Sequence, residues 1–125
     1  MKSASKTITL TAAASVGGAD LTRMKRPPTH PGVMFQEEVV TPRGYGARSD
    51  IARRMGITIA RLAEICAGRR PVTPESAVLM AAVSGTSPQL WLHLQADYDL
   101  WHALQTTNTT KIKKLDPIEP SDPAA

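Results

Sequence analysis

The stretch that decides the fold is RSDIARRMGITIARLAEICA, residues 48–67. Two short helices that cross steeply need a small residue where their backbones approach and a residue tolerant of left-handed φ at the turn. Ala52 takes the crossing position, and Gly56 takes the turn four residues later. Ile51, Met55 and Ile57 point inward, and Leu62 and Ile65 form the i, i+3 inner stripe of the second helix. Thr58 stands where its hydroxyl can cap that second helix or reach a phosphate. The spacing predicts a helix-turn-helix, although an ordinary helical hairpin can imitate it.

Outward from this core, turn signals divide the chain into five helical stretches. His30-Pro31 opens the first, which runs to about Val40, where Thr41-Pro42-Arg43-Gly44-Tyr45-Gly46 breaks it. The second covers about Arg48 to Met55 and the third Ile59 to Ala67, with Gly68 as its stop. Thr73-Pro74-Glu75 starts the fourth with a cap, a first-turn proline and an acid. Its body, Ala77 to Val83, is apolar on every side and is expected to run through the middle of the core. Ser87-Pro88 starts the fifth. Hydrophobic residues make up 42% of the 125 and aromatics only 4%, so the interior rests on Ala, Leu, Ile, Val and Met. That mixture suits helices better than sheets. The expected fold is therefore all-α: a five-helix bundle containing the helix-turn-helix at about 48–67.

Both ends read as disordered tails, 1–25 and 106–125, flanking a domain at 26–105, because they are polar or proline-rich and carry no periodic apolar stripe. Met24-Lys25-Arg26-Pro27-Pro28 offers a second start, which would leave the first 23 residues dispensable. The opening residues have too few consecutive apolar side chains for a secretory signal, and no run approaches the ~20 needed to span a bilayer. With one cysteine, the chain has no internal disulfide. A cytoplasmic protein with no membrane contact is expected.

The net charge of +4 matters less than its placement. Arg43 to Arg70 holds seven arginines against Asp50 and Glu64, whereas Pro71 to Leu104 has no Lys or Arg but carries Glu75, Asp97 and Asp99. One face is thus cationic and its neighbour is not, as for a surface that meets phosphates. With the second helix in a major groove, Ile59, Ala60, Arg61, Ala63, Glu64 and Ala67 face outward toward base edges. Arg48, Ser49 and Thr58 would hold phosphates, with Arg69 and Arg70 at the far end. Arg61 is the donor suited to guanine, and Glu64 could accept from cytosine. The other outward residues are apolar and suit thymine methyls and groove shape, which predicts modest specificity per half-site.

MKRPPTHPG at Met24 to Gly32, GRRPVT at Gly68 to Thr73 and GTSPQLWLHLQADYDLW at Gly85 to Trp101 resemble the HigA family of antitoxins, within the phage-repressor-like (lambda-repressor-like) helix-turn-helix group. The resemblance covers roughly Arg26 to Leu104, and its Ser-Pro-x-x-Trp-Leu-x-Leu-Gln stretch is the most specific part. It implies a dimeric five-helix bundle that binds double-stranded operator DNA, represses its own operon and neutralises a HigB-like, mRNA-cleaving toxin. Arg43 to Ala47 is one residue longer than the family pattern and puts Ala47 where a capping serine or threonine stands. That costs about 1 kcal/mol unless Gly46 or Ser49 substitutes. Two other readings stay open: a stand-alone regulator without a toxin, and a toxin-binding module with little DNA binding.

Trp91, Leu94, Tyr98 and Trp101 are spaced 3, 4 and 3 along the last helix. This is more aromatic surface than one short helix of a small domain buries, so the stripe is expected at a homodimer interface. Cys66 reads as a small buried residue, since no histidine neighbours it. His93 and His102 lie more than two turns apart along the helix, too far to share a metal. No nucleophile–base pair, paired carboxylates or Gly-rich phosphate loop is present. Neither an enzyme nor a cofactor or metal is expected.

Overall fold

A computed structural model describes residues 21–119 of the 125. Five α-helices carry the fold among the described residues, and there is no strand. They are α1 (Pro31–Phe35), α2 (Ala47–Met55), α3 (Ile59–Cys66), α4 (Pro74–Ser84) and α5 (Pro88–Thr106). Local chemistry sets their ends. His30 caps α1 with its own ring, Nδ1 accepting from the Gly32 N–H at 2.9 Å, and Pro31 fills the first position. Beyond Phe35 the backbone widens into a π-helical turn, Gln36–Val40, and then tightens into a 3-10 turn, Thr41–Arg43. Thr73 and Ser76 form a reciprocal capping box on α4, and the Ser87 hydroxyl accepts from the Leu90 N–H on α5. Ala47 is the first residue of α2 rather than its cap. Gly46 takes that place at φ 83 with no side-chain bond.

The core is built from Phe35, Ala52, Leu62, Ile65, Ala77, Met80 and Trp91, with the Phe35 and Trp91 rings edge to face at 5.4 Å. α1 and α3 touch backbone to backbone. A Cβ on Gly32 would lie 1.6 Å from the Ile65 carbonyl oxygen.

Three expectations change. α4 does not run through the middle: Ser76, Ala77, Met80 and Ala81 are buried, but Val78 is 55% exposed and Ala82 is exposed. α4 packs chiefly against α2 and α5, and Val78 and Ala82 stay on its exposed side.

The aromatic stripe of α5 is not a free surface. Trp91 is 1% exposed, its Nε1–H donating to the Thr86 hydroxyl at 2.8 Å, and Leu94 is buried with it. Tyr98 meets the His30 ring edge at 4.9 Å, and Trp101 donates from Nε1 to the Met24 carbonyl at 2.9 Å. Trp91 and Leu94 therefore cannot form a dimer interface, and Tyr98 and Trp101 keep only part of their rings in solvent. The N-terminal segment supplies the reason. A 3-10 turn, Leu21–Arg23, packs on α5 with Leu21 buried, so the stripe finds its cover within the chain.

That turn packs Leu21–Arg23 on α5 within a stretch expected to be disordered. Disorder of 1–20 and 120–125 concerns residues outside those described. Thr107–Glu119 follows α5 and is exposed at every residue.

Candidate nucleic-acid interface

The crossing of α2 and α3 forms as its residue types require. Ala52 is fully buried where the helices meet, and Gly56 ends α2 in the left-handed region at φ 72. The Ile57 N–H bonds back to the Ala52 carbonyl at 3.1 Å, which turns the chain. The Thr58 hydroxyl then accepts from the Arg61 N–H at 3.0 Å, and α3 begins. Leu62, Ile65 and Cys66 face inward, which leaves Ile59 and Ala60 exposed and Arg61, Ala63 and Glu64 half-buried.

What α3 presents is mostly apolar. Ile59, at its first position, is 51% exposed; Ala60 and Ala67 are exposed and Ala63 is half-buried. The two polar residues expected to read bases are engaged elsewhere. Arg61 is half-buried, and its guanidinium reaches Glu75 at the start of α4 at 3.6 Å. Glu64 accepts from Arg70 twice at one oxygen, from Nε at 3.0 Å and from a terminal nitrogen at 2.7 Å. At these exposures each pair adds well under ~1 kcal/mol of stability, but each sets where a side chain rests.

The phosphate-side residues divide similarly. Ser49 and Arg69 are exposed. Arg48 is half-buried and donates to the Gln36 side chain at 2.6 Å, while Gln36 donates in turn to the Thr41 hydroxyl at 3.0 Å. Gln36 thus orients the arginine at the head of α2 from the π-helical turn. Spacing could not reveal this, because twelve positions separate the partners. The Glu75–Arg61 pair was equally hidden. Arg53 and Arg54 share Asp50 on the exposed side of α2.

Cys66 is buried, and desolvation pushes its thiol up despite the nearby Arg48 charge, which disfavours the nucleophilic thiolate. Among the described residues no cluster of three His, Cys, Asp or Glu side chains could hold a metal ion. No described helix is long and apolar enough to cross a membrane.

No protein-family model matches the chain. Antitoxin HigA-1 of Vibrio cholerae is 30% identical over 79 residues, covering 63% of this chain and 73% of that protein. The solved structure of a HigA-family addiction module antidote protein from Coxiella burnetii matches at a TM-score of 0.63 and 30% identity, over 74% of this chain and all of that one. Pseudomonas aeruginosa antitoxin HigA, solved with the higBA promoter, shares the fold at a TM-score of 0.62 and 22% identity, over 74% of this chain and 99% of that one. With the helix-turn-helix closed at Ala52 and Gly56, and two relatives matched at this identity over most of their length, the chain belongs to the HigA family of helix-turn-helix antitoxins.

Proposed function

We propose that this chain is the antitoxin of a two-protein toxin–antitoxin module, acting in the cytoplasm as a homodimer. It binds operator DNA through α3 to repress its own operon, and it neutralises a HigB-like, mRNA-cleaving toxin. The observation that carries the DNA half is the Ala52–Gly56 crossing, which sets α3 within the arginine-rich segment 43–70. A shared fold with an antitoxin solved with promoter DNA supports the same reading. Helix insertion places α3 in a major groove, with Arg48, Ser49, Thr58, Arg69 and Arg70 facing phosphates on either side.

Titrating the full chain with duplex DNA from upstream of its coding frame tests this half. Affinity falls steeply as salt rises if phosphates are contacted. A flat, salt-independent titration favours the second reading, a toxin-binding module with little DNA binding, for which the apolar tip of α3 is the motivating observation. Co-expression with the neighbouring small open reading frame tests the toxin half: that product arrests growth alone and not with this chain. Without such a neighbour, the chain is a stand-alone regulator.

For the homodimer, the exposed face of α5 offers Leu100 and Leu104, at 51% and 42% exposure and one turn apart. They lie beside the aromatic stripe, of which Trp91 and Leu94 are buried within the chain.

A further inference from the structure

We propose that α3 reads its DNA site chiefly through thymine 5-methyl groups, with Ile59 as the contacting side chain, and that Arg61 is a positioning residue, not a base reader. This rests on the DNA-binding reading above and names the kind of sequence that reading implies.

The side of α3 turned from the core consists of exposed Ile59 and Ala60 and half-buried Ala63 and Glu64, with exposed Ala67 just past its end, and four of these five side chains have no polar atom. Glu64 is held by two nitrogens of Arg70, which turns its carboxylate toward the loop after the helix. Arg61 runs along the other flank of α3. Its Nε is shielded from solvent, and its terminal nitrogen reaches Glu75 of α4. To meet a guanine it would have to leave that carboxylate and withdraw a half-buried stem. Held where it is, it links α3 to the start of α4 and keeps its charge away from the exposed tip of the helix.

The remaining tip is an isoleucine at the first position of α3, half exposed. An aliphatic group in the major groove has one favourable partner, the C5 methyl that only thymine carries. Against guanine or cytosine the same contact would cover hydrogen-bonding edges without satisfying them, which is unfavourable. Ile59 therefore selects thymine and disfavours G·C pairs opposite it, while the arginines anchor the helix without regard to sequence.

The test begins with duplexes enriched from a random pool by the full chain. In the best of them each thymine is replaced in turn by uracil, which removes only the methyl group. The expected result is a loss of about fourfold at one or two positions per half-site, the weight of one buried methyl. Ile59→Ala removes that penalty while its circular dichroism and melting temperature stay those of the parent. Arg61→Ala weakens binding to all duplexes alike and leaves the uracil penalty and base preferences unchanged. Uracil without effect at every position, an equal penalty in Ile59→Ala, or loss of a guanine preference in Arg61→Ala would each overturn the proposal. A pool that yields no preferred duplex has a different meaning: it overturns the DNA-binding reading itself.

Discussion

Gly32 shows how one atom can govern the fold. It lies against the Ile65 backbone so closely that no side chain fits, and both groups belong to elements that cannot separate without opening the core. Gly32→Ala is expected to lower stability by about 3 kcal/mol or more, read as an earlier midpoint in urea denaturation. His30 couples the same region to pH. Burial lowers its pKa below the ordinary 6.5, partly opposed by Asp99, so the folded state favours the neutral ring that caps α1 through Nδ1. The unfolded chain takes up the proton first as pH falls. His30 thus contributes stability that is complete above 6.5 and is lost below it, down to the folded-state value. His30→Asn keeps a capping oxygen that does not titrate. Its denaturation midpoint should lie lower, through lost packing on Tyr98, but should change less with pH between neutrality and the carboxylate range.

At the scale of elements, α3 is short and exposed along one side, so its order depends on its cap and on the residues behind it. Thr58→Ala removes the oxygen that satisfies the Arg61 N–H and should cost about 1 kcal/mol of stability in thermal melts, together with weaker DNA binding. Thr58→Ser should restore both. The π-helical turn after α1 matters to the same interface, because it carries Gln36 to Arg48. α4 shows where helix periodicity misleads: a run apolar on every side is read as central, yet this one keeps Val78 in solvent. Apolar composition states what a helix can bury, whereas its neighbours determine how much it does.

For the whole molecule, charge should act through DNA binding and apolar surface through assembly. Arg48→Ala and Arg69→Ala are each expected to weaken binding across all sequences and to reduce the salt slope by about 1, measured by fluorescence anisotropy over a salt series. An unaltered slope would remove that residue from the phosphate contacts. Leu100→Glu with Leu104→Glu should give a monomer in sedimentation velocity at unchanged helical content. A dimer that survives these changes would place the interface elsewhere.

The order of the helices, the caps of α1, α3, α4 and α5 and the turn at Ala52 and Gly56 were legible in residues 30–104, because each depends on partners close in sequence. Local chemistry also identified His30 as a helix start and Cys66 as a buried side chain. Only the tertiary structure decided which apolar stripe is covered and which arginine is free. Trp91 is enclosed by Phe35, and Trp101 is bonded to Met24 from the far end of the chain. Arg61 rests on Glu75 and Arg48 on Gln36, pairings made across element boundaries by helices folded against one another. Periodicity describes the face a helix offers. What occupies that face is set by the packing of the whole chain, which no short window of sequence contains.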